Sequence, residues 1–212
     1  MLIPYATVVA ALAKAGITVR GVLHIGAHEC EELAAYTAKG VSAAAVDWIE
    51  ANPELVTRMA ARGIVVHNAA VSDVEAELPF HITNNGQSSS LLEFGTHAAS
   101  YPWCKVVKTI TVRTERLESV ITRCAIPIAE RNFWNLDIQG AELSALRSAG
   151  DAIRHADAIY TEVNTREVYK GCCLLGELDA FLADKGFTRH SISMTDAGWG
   201  DALYIRTKTV DS

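Results

Sequence analysis

Long apolar runs, paired cysteines and dense basic clusters are all missing from this 212-residue sequence, and each absence removes a class of protein. No run approaches the eighteen or so apolar residues of a membrane span, so no span is expected. Tyr5 to Gly16 carries an apolar stripe, but no basic segment precedes it, and a secretory leader is not expected either. The five cysteines, Cys30, Cys104, Cys124, Cys172 and Cys173, are odd in number and show no C-x-x-C pairing. They signal neither a disulfide framework nor a zinc site, and a reduced, cytoplasmic setting is the default. Nineteen Lys and Arg face 25 Asp and Glu, a net charge of −6, with no basic cluster. Nucleic acid is therefore not an expected partner; a small molecule or a glycan is. Half of the residues are hydrophobic, enough for one core, and one domain over 1–212 is expected, with a surface helix inside 1–18.

What is present is organised around Arg20-Gly21-Val22-Leu23-His24-Ile25-Gly26-Ala27-His28-Glu29-Cys30-Glu31-Glu32. Val22 to Ile25 is a short apolar run of the kind buried on both faces of a parallel sheet. Gly26 turns the chain sharply and lets the backbone approach a ligand. Such a turn commonly takes a dinucleotide on the following helix N-terminus. Here a G-x-G-x-x-G is missing, and Glu29, Glu31 and Glu32 crowd the place of a pyrophosphate. A cofactor carrying positive charge suits these acids better; alternatively, they only stabilise the helix start.

The rest of the chain alternates strand and helix patterns, which implies a doubly wound α/β sheet. A helix is expected over Glu29–Lys39, closed by Gly40, and a buried strand over Ala43–Ile49 that ends at Glu50 and Ala51. Asn52-Pro53-Glu54 reads as N-cap, first-turn proline and first-turn acid of the next helix. Glu50 stands 24 positions after Gly26, close to the ~20 at which such folds place the carboxylate for ribose hydroxyls; a solvated strand-end acid is the plain alternative. A third strand over 64–70 leads into Asn68, Ala70 and Ser72, which border an adenine ring or form an ordinary turn. Residues 84–105 make a long connection with turn residues and aromatics, read as a wall or lid of the substrate site, or else as a disordered insertion. Strands are expected over Leu78–Thr83, Val106–Arg113, Phe133–Leu136, Asp157–Asn164, Phe187–Ser193 and Ala202–Arg206, the short link between the last two making that pair antiparallel. Helices are expected over Leu117–Arg123 and Leu174–Lys185.

Five blocks, His24-Ile25-Gly26-Ala27-His28 with Glu31-Glu32, Trp48-Ile49-Glu50-Ala51-Asn52-Pro53, Gln87-Ser88-Ser89-Ser90-Leu91, Leu136-Asp137-Ile138-Gln139-Gly140-Ala141-Glu142 and Trp199-Gly200-Asp201-Ala202-Leu203-Tyr204, occur in an order that resembles the FkbM family of S-adenosylmethionine-dependent methyltransferases. The resemblance implies a class I Rossmann-like methyltransferase fold, a seven-stranded mostly parallel sheet with the last strand antiparallel. It also implies transfer of a methyl group to an acceptor oxygen, often on a sugar or natural product. Cys30 stands where the family commonly has a second glycine.

The expected cofactor-binding residues are Gly26, Ala27, His28, Glu31, Glu50, Ala51, Asn68, Ala70, Ser72 and Asp137. The expected acceptor-side residues are Ser88, Ser89, Ser90, His97, Tyr101 and Trp103. Asp137 and Glu162, at the ends of adjacent strands, are the candidate catalytic carboxylates, and His97 is a further candidate base; His24 reads as a core histidine. With Asn164, the two carboxylates also make a hard-oxygen set that suits Mg²⁺, and whether they act through a metal or directly is open at this level. A nucleotide-binding oxidoreductase or a non-catalytic binding module would share the fold.

Overall fold

The computed structural model describes residues 1–207. Helix α1 (Tyr5–Lys14) leads to β1 (Val22–Ile25), α2 (Leu33–Thr37), β2 (Val46–Glu50), α3 (Pro53–Ala61) and β3 (Val66–Asn68). The middle of the chain forms β4 (Ala70–Val71), β5 (Glu77–Thr83), α4 (His97–Ser100), β6 (Val106–Glu115) and α5 (Leu117–Arg123). Strand β7 (Phe133–Leu136), α6 (Glu142–Arg147), β8 (Ala158–Asn164), α7 (Leu175–Asp184), β9 (Phe187–Met194) and β10 (Trp199–Arg206) follow.

Seven strands make the main sheet in the order β3-β2-β1-β7-β8-β10-β9. All pairs from β3 to β8 are parallel, and β10 runs antiparallel to both its neighbours. This is the expected doubly wound α/β sheet with an antiparallel last strand. Leu23, Ile25, Trp134, Leu136 and Ile159 pack one face against α5, α6 and α7; Val22, Trp48, Phe133, Tyr160 and Leu203 pack the other against α1 and the chain around α2 and α3. Both faces are dry, with His24 and Asn135 buried inside β1 and β7, while Glu50 ends β2 and Asp137 follows β7 directly. The winding reverses between β1 and β7, which places a crevice at the carboxyl ends of those two strands. Among the described residues no helix is long and apolar enough to cross a membrane.

Local chemistry explains most element boundaries. Asn52 caps α3 through its side chain, which accepts from the Glu54 N–H at 3.0 Å, and Pro53 occupies the first turn. The helix expected over Glu29–Lys39 is confined to Leu33–Thr37, because His28 (φ 44°) and Cys30 (φ 57°) adopt left-handed backbone that cannot continue a right-handed helix. Cys30 thus keeps a glycine-type conformation without being glycine. Ala43–Ala45 is a 3-10 turn before β2, not part of the strand. The strand expected over 64–70 divides after Asn68, and β4 leaves the main sheet to pair with β6, which pairs in turn with β5 in a second, three-stranded sheet. Within the long connection 84–105, α4 and a bridge between His81 and Ser90 supply regular structure.

Candidate active site

A cavity of about 410 Å³ is lined by the residues ending β1, β2, β7 and β8, among them Gly26, Glu50, Asp137 and Glu162. Its size falls within the ~300–1,000 Å³ of small-molecule sites. The turn after β1 is fixed by main-chain bonds: the Gly26 and Ala27 N–H groups both donate to the Ile49 carbonyl, at 2.9 and 3.0 Å. Gly26 (φ 91°) leaves no room for a side chain, since a Cβ there would lie 1.9 Å from the Asp137 carbonyl oxygen. The glycine therefore serves the close approach of the β1 and β7 turns, and it also lines the cavity.

Glu50 is 7 % exposed and is held from two sides. Oε2 accepts from the His28 N–H at 2.9 Å and Oε1 from the Asn52 N–H at 2.8 Å. Each oxygen keeps a lone pair for a further donor. Burial raises its pKa against the pull of these N–H groups. His28 Nδ1 pairs with Glu31 Oε1 at 2.6 Å; burial opposes ionisation of Glu31, but this bond and the His28 charge bring its pKa down to about 2. Ala51, Ala69, Ala70 and Val71 add a small-residue border.

The other end of the cavity is carboxylate-rich. Gln139, itself left-handed (φ 58°), points its amide nitrogen between Asp137 Oδ1 (2.6 Å) and Glu162 Oε2 (2.7 Å). Its amide oxygen accepts from the Tyr169 hydroxyl at 2.5 Å, which fixes the amide orientation. Enclosure by the surrounding protein, although Asp137 itself opens to the cavity, and then the Asp201 charge push Asp137 up to about 6; burial, and then the charges of Glu142, Asp137 and Asp201, push Glu162 well above the carboxylate range. Asp201 accepts from the Tyr160 hydroxyl and from the Leu2 N–H at 2.5 Å. Glu142 is turned away from the cavity and closes the β7 turn, accepting from the Ile138 and Gly140 N–H groups. Among the described residues, three of the four non-glycine residues with positive φ (His28, Cys30 and Gln139, not Ala125) lie in the two turns that meet here, the concentration of backbone strain that functional sites show.

The connection 84–105 forms the facing wall. Gly95 N–H and His97 N–H donate to the Val168 carbonyl, Thr96 N–H to Glu167 and Lys170 N–H to Glu93, at 2.8–3.1 Å. His97 is 5 % exposed, stacks on Phe94 (4.2 Å between centroids) and contacts the rings of Tyr101 and Tyr169. Its Nδ1 is buried without a partner, and burial lowers its pKa. Trp103 stands 59 % exposed at the rim. Gly86 rests on the turn after β1, where a Cβ would come 2.7 Å from His28 Nε2.

Of the expected site residues, Gly26, Ala27, His28, Glu31, Glu50, Ala51, Ala70, Ser88, Ser89, His97, Tyr101, Trp103, Asp137 and Glu162 share this cavity. Four others are placed elsewhere. Asn68 donates back to the Glu50 and Ala51 carbonyls and braces the end of β2. Ser72 bonds Ser144 of α6 at 3.1 Å, because the chain has already left the sheet for β4. Ser90 is buried and donates to the Gln139 carbonyl at 2.8 Å. Asn164 lies behind Glu162, with its Oδ1 unpartnered and sealed. The metal set of Asp137, Glu162 and Asn164 is thereby corrected: an N–H donor sits between the two carboxylates where a cation would bridge them, and among the described residues no three His, Cys, Asp or Glu side chains are grouped to hold an ion. His24 is buried, bonds Tyr36 at 3.0 Å and is driven to a pKa of about 3 by burial. Gln139, Tyr169 and Asp201 were not assigned from the sequence. Gln139 and Asp201 lie inside two of the recognised blocks, which was the available signal; Tyr169 had none.

Residues 24–189 match the model of the methyltransferase FkbM domain. The chain belongs to this family. This FkbM domain is 27 % identical over 109 residues to the 2-O-methyltransferase NoeI of Sinorhizobium fredii (strain NBRC 101917 / NGR234), a match covering 48 % of the chain and 44 % of that relative. The chain thus spans less than half the length of that protein. Among solved structures, it is similar to the magnesium protoporphyrin IX methyltransferase ChlM from Synechocystis PCC 6803 with bound SAM (13 % identity, TM-score 0.45, 95 % of this chain and 77 % of that one). It is also similar to the 1,6-didemethyltoxoflavin-N1-methyltransferase of Burkholderia thailandensis (11 % identity, TM-score 0.42, 98 % and 78 %).

Proposed function

We propose that this FkbM domain transfers a methyl group from S-adenosylmethionine to a hydroxyl of a glycan or small natural product. The observation that carries the reading is Glu50, a buried carboxylate at the end of β2 whose oxygens are aimed by two backbone N–H groups into the cavity that also holds Asp137. Two vicinal ribose hydroxyls need such an acceptor. Ala51, Ala69, Ala70 and Val71 offer an apolar border for an adenine ring, and the acid-rich turn at 28–32 favours a cationic cofactor over a pyrophosphate. The likeness to NoeI, a 2-O-methyltransferase by name, supports oxygen as the acceptor atom.

When bound, the donor supplies a methyl carbon activated by its sulfonium, so the protein's work is alignment and proton removal. Gln139 occupies Oδ1 of Asp137 and leaves Oδ2 for an acceptor hydroxyl. With its pKa raised to about 6, Asp137 is ionised at neutral pH yet more basic than an ordinary aspartate, the tuning a general base requires. Glu162, raised well above the carboxylate range by burial and by the neighbouring charges, shares the Gln139 amide with Asp137 and stands beside it at the end of the adjacent strand. His97, Tyr101 and Trp103 hold the acceptor against this carboxylate.

The test combines calorimetry with S-adenosylmethionine and a labelled-methyl transfer screen against hydroxyl-bearing glycans and natural products. One donor site per chain and label on oxygen are expected; absence of donor binding overturns the reading.

A further inference from the structure

Six carboxylates line the cavity, Glu31, Glu32, Glu50, Asp137, Glu162 and Asp201, and no Lys or Arg side chain does. The donor-side acids have assigned work. Glu31 pairs with His28, and Glu50 takes two N–H groups while facing the ribose position. A bound S-adenosylmethionine adds one net positive charge, from a sulfonium and an ammonium against a carboxylate. That leaves the other end in surplus. Asp137, Glu162 and Asp201 receive hydrogen bonds only from neutral donors there, from Gln139, Asn164, Tyr160 and the Leu2 N–H, and the Met1 ammonium, which also lines the cavity, lies 4.0 Å from Glu32, one cation against the three carboxylates.

A second observation lies beside this surplus. Asp201 and Trp199 stand two positions apart on β10 and so on one face, and register pairs Asp201 with Glu162 of β8. The Trp199 indole donates to the Tyr101 hydroxyl at 2.8 Å. Tyr101 is 5.0 Å from the ring of His97 and 6.1 Å from that of Trp103. His97, nineteen-twentieths buried on this wall, has a ring nitrogen without a partner. Aromatic faces opposite carboxylates are the surroundings in which an alkylammonium is held, and the same arrangement repels phosphate and carboxylate groups by like charge.

The geometry points to an acceptor that carries a protonated amine near the hydroxyl to be methylated and carries no phosphate or carboxylate. This deepens the methyl-transfer reading and rests on it. Amino sugars and aminocyclitols have the required chemistry; nucleotide-activated and phosphorylated sugars are refused at the same wall.

Ligand-observed NMR on the full chain loaded with S-adenosylhomocysteine tests it with three probes, glucosamine, N-acetylglucosamine and glucose 6-phosphate, at low and at 0.5 M (about) salt. Glucosamine is expected to bind about tenfold more tightly than N-acetylglucosamine, the scale of one desolvated cation–π and charge contact, and glucose 6-phosphate more weakly than either. The amine's advantage should shrink in high salt and vanish in Asp201→Asn or, if that variant does not fold, in Glu162→Gln. Equal signals from the three probes, including none from any, or a preference for the phosphate, overturn the inference. Donor binding is measured on the same sample. Its absence defeats the methyl-transfer reading, whereas intact donor binding with no amine preference defeats this inference alone.

Discussion

The two ends of the cavity hold their carboxylates in different ways. Glu50, on the proposed donor side, is gripped by backbone N–H groups that belong to the turns on either side of it. Asp137 and Glu162, on the proposed acceptor side, share one side-chain amide that reaches them from Gln139. A backbone grip is set by local fold and survives most substitutions, while a side-chain grip is lost with one residue. The donor end is accordingly a fixed socket and the acceptor end an adjustable one.

Gly26→Ala should break the fixed side with the largest effect. Positive φ and the 1.9 Å approach to the Asp137 carbonyl leave no small adjustment, so unfolding in urea is expected to show a loss of about 2–4 kcal/mol. Full stability in that variant would mean that the β1 and β7 turns separate easily. Glu50→Ala should leave the fold in place and weaken donor binding in calorimetry. Each lost hydrogen bond to the charged group is worth about 1.5–3 kcal/mol, and the acceptor KM should not move with it.

Gln139→Leu probes the adjustable side. The amide favours the ionised form of Asp137, so its removal raises the Asp137 pKa and carries the acid limb of the kcat profile to higher pH. A fall of about tenfold in kcat at pH 7 is expected, the size of a modest general-base contribution, with donor affinity unchanged. An unshifted limb would separate Gln139 from proton removal. Trp103→Ala should give the smallest effect, a rise of roughly fivefold in acceptor KM from the loss of one aromatic contact. A collapse of donor affinity in that variant would merge the two ends.

The same contrast explains what the sequence made legible. Gly26, Glu50 and the Asn52-Pro53 cap act within a few residues of a strand end, where periodicity and turn chemistry are direct signals. Asn68 and Ser72 were misplaced because both flank the point where the chain quits the main sheet, and nothing local announces that β4 will pair with β6 across more than forty positions. Cys30 and His28 shortened α2 by taking left-handed backbone, which their residue types do not advertise. Gln139 joins Asp137, Glu162 and Tyr169, contacts up to thirty positions apart, and such a role emerges only when the strands are side by side.

The four main-chain hydrogen bonds between residues 93–97 and 167–170 bear on redesign. Anyone grafting a relative's acceptor loop into this chain would be cutting one half of a two-piece wall, and the Tyr169 hydroxyl, which touches both the Ser88 carbonyl and Gln139, would lose its footing. The portable unit is residues 84–105 together with 165–172, and a chimera that exchanges both segments at once is the form in which a new acceptor preference should travel.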